Sequence, residues 1–178
     1  MLDDNGCEET LQSQSIYVGK ILTLKLDTVM LPNGRETQRE IVESNHSVVI
    51  VAIDDNDHVI LVRQYRKAAE SFLLELAAGT IEKGELPIDC AVRELEEETG
   101  YKTGSLTLLG SFWMTPGYCT EYMYTYIAKD LKPGIVNQDD DEAIEVVKVP
   151  KSQIPQMIRE GKIKDAKSIA ALGMAFYI

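Results

Sequence analysis

Between Gly79 and Tyr101 the chain reads GTIEKGELPIDCAVRELEEETGY, which sets four of its carboxylates (Glu85, Glu94, Glu97 and Glu98), Arg93 and two of its glycines (Gly79 and Gly100) at fixed spacings around a short predicted helix. Pro87 suits the first turn of a helix and Gly100 the left-handed residue just past its end, so the helix is expected from about Leu86 to Thr99. At 100° per residue Glu94, Glu97 and Glu98 fall within one arc of about 100°, beside an apolar face of Ile88, Ala91, Val92 and Leu95. The expectation is a helix that packs by one side and carries its carboxylates alongside.

Glu96, Glu97 and Glu98 occupy the last turn, where the helix dipole is negative and each acid costs roughly 0.3 to 1 kcal/mol. Something positive should offset them. The plain reading of such a triplet is a solvated acidic face. The chemical reading is a cation site: magnesium takes hard oxygen ligands, so two or three carboxylates from one helix face, with a backbone carbonyl from the nearby loop Ala77-Ala78-Gly79, suit it.

This segment resembles the Nudix box, G-x5-E-x7-R-E-U-x-E-E-x-G-U with U a bulky apolar residue. Gly79, Glu85, Arg93, Glu94, Leu95, Glu97, Glu98 and Gly100 match, and Tyr101 supplies the final bulk. A random match is on the order of 10⁻⁸ per start point. The resemblance implies Glu94 and Glu98 as principal metal ligands, Glu97 as a ligand or a supporting group, and the Ala78 carbonyl as a further ligand. Glu85 and Arg93 would pair to hold the loop against the helix.

Length and charge bound the rest. At 178 residues and 44% apolar content the chain suits one main domain with a good core and leaves room for a small accessory element. A net charge of −11 argues against nucleic acid or an anionic membrane as a main partner. The three cysteines, Cys7, Cys90 and Cys119, lack ligand spacing and read as free thiols in a reducing compartment. Residues 1 to 16 are polar and no apolar run approaches 18 residues, so a cytoplasmic protein is expected.

Along the chain, Tyr17–Met30 and Glu36–Val42 flank the turn Pro32-Asn33-Gly34 and read as a hairpin. Strands are expected at Ser47–Ile53, His58–Val62, Phe72–Leu76, Leu106–Trp113, Tyr122–Ala128 and Ile144–Val149, and helices at Gln153–Glu160 and Ser168–Tyr177. The fold class is therefore α/β: a mixed sheet between helices, in agreement with the α/β/α sandwich that the Nudix resemblance implies, plus the N-terminal β-hairpin. Residues 1–43 form the hairpin and dimerisation element and 44–178 the hydrolase domain.

Flanking motifs narrow the resemblance to the ADP-ribose pyrophosphatases: Arg39-Glu40, Arg63-Gln64-Tyr65-Arg66, Glu75-Leu76-Ala77-Ala78-Gly79, Thr115-Pro116-Gly117 with Glu121, and Asp165-Ala166-Lys167. Two positions depart from that subgroup, which commonly has Pro where Ala77 stands and His-Pro-Gly near Ser44-Asn45-His46-Ser47. The second departure leaves open related nucleoside diphosphate sugars. Arg66 and Arg63 read either as surface strand charges or as diphosphate ligands. Pro116-Gly117 is a turn or the start of a loop that, with Glu121, touches substrate. Tyr17 is placed in the core before a base-stacking role, and His46 and His58 receive no catalytic role. Asp139-Asp140-Asp141-Glu142 reads as a solvated loop, but by resemblance a glutamate here orients or deprotonates the attacking water, and Glu142 matches best, with Asp140 and Asp141 behind it.

The resemblance thus implies Mg²⁺-assisted hydrolysis of ADP-ribose to AMP and ribose 5-phosphate, with Mn²⁺ as a substitute. The alternatives are hydrolysis of other nucleoside diphosphate sugars such as GDP-mannose or of nucleoside triphosphates and, outside enzymes, a nucleotide-sugar sensor. A homodimer is expected, because Ile21, Leu24, Leu26, Val29, Ile41 and Val42 give the hairpin more apolar surface than a free ribbon hides. The competing reading folds the hairpin back on its own domain.

Overall fold

The computed structural model describes residues 6–134 and 144–177. The chain divides into two compact units, one running to Asn45 and taking in Trp113–Tyr122, the other comprising His46–Phe112 and Met123 onward.

The first unit is built on an antiparallel sheet of β1 (Glu9–Val18), β2 (Leu22–Met30) and β3 (Glu36–Ser44), in that order. The expected hairpin is present as β2–β3, and β1 adds a third strand along β2. The run read as one strand from Tyr17 is broken at residues 19–21, where the Gly19 N–H donates to the Leu22 carbonyl at 2.9 Å. A further strand precedes the break; its sequence ETLQSQSIYV is mostly polar, and every residue of it is exposed, so no hydrophobic signal marks it. Tyr17 is 59% exposed and is not a core residue. The β2–β3 turn does sit at Pro32-Asn33-Gly34: Gly34 has φ of 78°, and the Asn33 side chain accepts the Arg35 N–H at 3.1 Å. Trp113–Tyr122 is stitched to β3, with Val42 N–H to the Tyr118 carbonyl at 2.7 Å, Thr120 N–H to the Val42 carbonyl at 3.0 Å, and Ser44 N–H to Thr120 Oγ1 at 3.0 Å.

The second unit carries a mixed seven-stranded sheet comprising β4 (Ser47–Ile53), β5 (His58–Arg66), β6 (Ser71–Glu75), β7 (Ala77–Thr80), β8 (Tyr101–Trp113), β9 (Tyr122–Pro133) and β10 (Glu145–Pro150). Its order is β10-β5-β4-β9-β8, with β6 on β5 and β7 on β4. The β4–β9 pair is parallel, while β4 meets β5 and β7, and β5 meets β6 and β10, antiparallel. Helices α1 (Pro87–Thr99), α2 (Ile154–Arg159) and α3 (Ala166–Tyr177) complete it. The unbroken apolar run of β4 is buried at every residue, as a strand covered on both faces requires. Val48, Ile50 and Ala52, with Ile60, Ala77, Tyr126 and Ala128, pack against Cys90, Ala91 and Leu95 of α1, and α3 also contacts β4.

Helix α1 starts at Pro87 and ends on Gly100, whose φ of 70° and N–H to the Glu96 carbonyl form the left-handed cap. Its buried face is rotated from the expected one. Ile88 and Val92 remain 45% and 44% exposed, whereas Cys90 joins Ala91 and Leu95 inside. Around the helix Glu98 lies only about 20° from Ala91. It therefore faces the sheet at 5% exposure rather than flanking the packed side.

Ile50 is fully buried against α1. Ile50→Ala is expected to lower unfolding free energy by about 2 to 5 kcal/mol in urea melts, the loss typical of a buried aliphatic truncated in a close-packed core. A cost below about 1 kcal/mol would contradict this packing.

Candidate active site

The site is built where β7 runs beside α1. Pairing of Val48 with Gly79 and Val49 with Ala78 lays this short strand along β4. A Cβ on Gly79 would stand 1.9 Å from the Glu94 carboxylate carbon, so this position has room for no side chain. One residue earlier, the Ala78 N–H donates to Glu98 Oε2 at 3.0 Å. Glycine and the backbone thus seat two carboxylates against the strand.

Arg93 organises the other acids. Its Nε and Nη2 donate to the two oxygens of Glu85 at 2.9 and 3.0 Å, and its Nη1 to Glu94 Oε1 at 2.7 Å and Glu97 Oε2 at 2.9 Å. Nη2 also reaches the Thr80 carbonyl at 3.3 Å, tying helix to strand. Glu85 accepts the Glu82 N–H as well, at 2.9 Å. The hydrogen bonds from Arg93 first, then that backbone bond, hold the Glu85 carboxyl down at about 2. The same contacts, with Glu85 foremost, raise the Arg93 pKa further above its ordinary value. Glu96 points away and pairs with Lys102 at 3.2 Å. Each glutamate of the triplet thereby has its own partner, which answers the dipole cost.

Among the described residues no three His, Cys, Asp or Glu side chains form a ready-made metal cluster. The donors nevertheless fit a hard cation. Glu94 and Glu98 offer carboxylate oxygens from a half-buried and a buried position, the Ala78 carbonyl lies on the strand beside them, and Gly79 leaves a cradle that any Cβ would fill. Cys90 is no rival ligand or nucleophile: burial, then the charges of Glu94 and Glu85, push its thiol up to about 12.

A second ion cluster lies in the same unit. Arg66 donates from Nε and Nη2 to both oxygens of Glu75, at 2.9 and 2.8 Å. Glu75 is 1% exposed and also takes the Lys167 ammonium. Burial alone would raise its pKa, but Arg66 and Lys167 outweigh burial and lower it. Glu75 was expected to bind substrate; in the structure it is buried and holds Arg66. Arg63 was also expected at the diphosphate. Along β5 it alternates onto the face opposite Arg66, where it covers the Phe72 ring at 4.0 Å and pairs with Glu145 at 3.3 Å. The two arginines do not converge.

In the first unit a pocket of about 410 Å³ brings together Arg39, Glu40, Pro116 and Gly117, with Trp113 and Tyr118 supplying aromatic surface. Arg39 donates from Nε to Glu8 at 3.0 Å, and Glu8 lines the same pocket. Glu8, Trp113 and Tyr118 escaped the sequence reading; the aromatics bracketing Thr115-Pro116-Gly117 were the available signal. Glu121 is not among the lining residues, and its carbonyl accepts the Met114 N–H at 3.1 Å. His58 bonds Asp54 at the β4–β5 turn, and His46 is exposed beside Tyr124. Glu142, with Asp139, Asp140 and Asp141, lies outside the described residues.

The family model for the NUDIX domain matches residues 44–172. The chain belongs to the Nudix hydrolases. A second model, the nucleoside diphosphate sugar hydrolase N-terminal domain, matches residues 8–42. An ADP-ribose pyrophosphatase of Bacillus subtilis is 36% identical over 169 residues, covering 93% of this chain and 90% of that protein. A methanol dehydrogenase activator of Bacillus methanolicus is 38% identical over 167 residues, with coverage of 93% and 90%. The crystal structure of an ADP compounds hydrolase superposes with a TM-score of 0.86 at 29% identity, covering 94% of this chain and 91% of that one. This Nudix domain is accordingly a pyrophosphohydrolase for nucleoside-diphosphate-linked compounds.

The Glu85–Arg93 pair makes stability depend on acid. With the Glu85 carboxyl held at about 2 in the folded Nudix domain against an ordinary 4.5, its contribution is fully present above about pH 4.5 and is lost as pH falls toward 2. The melting temperature of the native protein should exceed that of Glu85→Gln at pH 6, and the gap should close as pH is lowered through that window. A gap that stays constant from pH 6 to 2.5 would contradict the pairing.

Proposed function

We propose that the protein hydrolyses the pyrophosphate bond of ADP-ribose to AMP and ribose 5-phosphate. The observation that carries this reading is the seat formed by Gly79 and Ala78 for Glu94 and Glu98, with the Glu75-held Arg66 guanidinium in the same unit. Glu94, Glu98, Glu97 and the Ala78 carbonyl are the groups that would hold Mg²⁺, or Mn²⁺ in its place. When bound, such ions offset the diphosphate charge and make water a better nucleophile at neutral pH. Arg93 and Glu85 keep the acids in place before substrate arrives. Arg66 uses Nε and Nη2 on Glu75, which leaves the Nη1 edge for a phosphate oxygen. Glu142 is assigned to orient the attacking water and take its proton, with Asp140 and Asp141 next in line.

The pocket around Arg39, Glu40, Pro116 and Gly117 supports a nucleoside substrate, because aromatic surface and paired polar groups are what a purine needs. The N-terminal match to nucleoside diphosphate sugar hydrolases favours a second reading, in which the sugar or base differs, as in GDP-mannose. A sensor without turnover is disfavoured by the intact carboxylate set. Among the described residues no helix is long and apolar enough to cross a membrane; a cytoplasmic setting remains part of the proposal.

Turnover with saturating Mg²⁺ across ADP-ribose, GDP-mannose, UDP-glucose, diadenosine polyphosphates and dGTP tests the substrate, with ADP-ribose expected to lead and a GDP-mannose preference overturning the choice. Glu98→Gln should lower turnover by roughly 10²-fold or more with the fold intact, while Glu96→Gln, on the far side of the helix, should stay near native. Retention of half the activity in Glu98→Gln would remove it from the ligand set. Glu142→Gln should lower kcat far more than it changes KM.

We also propose a homodimer formed through residues 1–43. Leu11, Ile16 and Val18 of β1 and Ile21 just after it are 46%, 51%, 71% and 78% exposed and support this interface, whereas Val29, expected to contribute, is buried. Light scattering at low micromolar concentration should report a mass near twice 19.9 kDa. A fully active monomer would overturn the dimer.

A further inference from the structure

The Asp165-Ala166-Lys167 motif takes no part in the reaction as set out above, yet its two charged residues lie largely buried next to Glu75. The Lys167 ammonium bridges Glu75 and Asp165, the latter at 3.0 Å. Asp165 Oδ2 accepts both the N–H of Ser168, at 3.0 Å, and its hydroxyl, at 2.6 Å. Ser168 Oγ in turn accepts the Leu76 N–H at 2.8 Å. Four charges of alternating sign, Arg66, Glu75, Lys167 and Asp165, thus run from the end of β5 to the start of α3.

A carboxylate as buried as Glu75 needs compensation, and Arg66 alone would neutralise it. The second cation does something further. Lys167 sits on Oε2, the same oxygen that takes Arg66 Nη2, so a second cation besides Arg66 restrains rotation of the carboxylate. Because Arg66 meets both oxygens of that carboxylate through Nε and Nη2, holding Glu75 in place limits the directions open to its Nη1 edge. Arg66 itself is 39% exposed, so without such a grip its long side chain would sample many rotamers.

We propose that Lys167 and Asp165 are positioning residues for the hydrolysis, which lock Glu75 and thereby aim Arg66 at a phosphate of the nucleoside diphosphate. The proposal rests on Arg66 being a diphosphate ligand. A plain anchoring role for the cluster would tie α3 to the β6–β7 junction without acting through Arg66.

A double-mutant cycle on the full-length protein separates the two. Steady-state kinetics would be measured with saturating Mg²⁺, on the fastest substrate of the panel above, for Arg66→Ala, Lys167→Met, the double variant and Lys167→Arg. Arg66→Ala is expected to lower kcat/KM by about 100-fold and Lys167→Met by about 10-fold, mainly through KM. The double variant should lie within about 3-fold of Arg66→Ala, because Lys167 has nothing left to aim, and Lys167→Arg should recover to within about 3-fold of native. Losses that multiply to about 1,000-fold in the double variant would overturn the proposal and leave Lys167 an anchor. Native kcat/KM in Lys167→Met beside an impaired Arg66→Ala would overturn the positioning role alone, whereas native kinetics in Arg66→Ala would overturn the diphosphate assignment and the proposal together. Should Lys167→Met fail to fold, the near-isosteric Asp165→Asn takes its place in the cycle with the same outcomes.

Discussion

The second unit depends on one guanidinium. Arg93 reaches Glu85, Glu94, Glu97 and the Thr80 carbonyl at once, and so links the loop after β7, the strand itself and the acidic face of α1. Two bare carboxylates about 4 Å apart would repel by roughly 4 kcal/mol at an effective dielectric constant of 20. Arginine meets this better than lysine, because its planar fork donates in several fixed directions while remaining charged. The acids can therefore be gathered during folding, before any ligand is present to justify them.

Glu98 solves a different problem. It faces the sheet rather than Arg93, at 5% exposure, and takes a backbone N–H from Ala78. Burying a carboxylate without hydrogen bonds costs several kcal/mol, and the pairing of the short strand β7 with β4 lets the Ala78 N–H offset part of that cost. The same strand contributes Gly79, whose missing side chain is what lets Glu94 approach. A local sequence of two alanines and a glycine has little packing value of its own; its value is the space it leaves.

Much of this was legible in the sequence because it is local. The span of α1 followed from Pro87 and Gly100, β4 from an unbroken apolar run, and the β2–β3 turn from Pro32-Asn33-Gly34. What was not legible depends on partners distant in the chain. Strand β1 has no apolar periodicity and is recognisable only from its pairing with β2. Which side of α1 is buried could not be read from the helix, since Ile88 and Val92 are as apolar as the residues that replace them inside. The roles of Arg63 and Glu75 turned on strand alternation and on Lys167, some ninety residues away, neither of which a motif reveals.

These pairings also explain how so acidic a chain is suited to an acidic substrate. Arg39, Arg63, Arg66 and Arg93 each meet a carboxylate, respectively Glu8, Glu145, Glu75 and the Glu85–Glu94–Glu97 group. None is left as an unopposed positive charge, so the arginines contribute direction more than net attraction. With a formal charge of −11 on the whole chain, long-range steering of a diphosphate is unfavourable. Under the proposed function, affinity would come from short-range geometry: hard oxygen donors for a divalent cation, and the guanidinium edge of Arg66. On that reading diphosphate recognition is conditional on the cation, and a chain of this net charge disfavours anions that arrive without one.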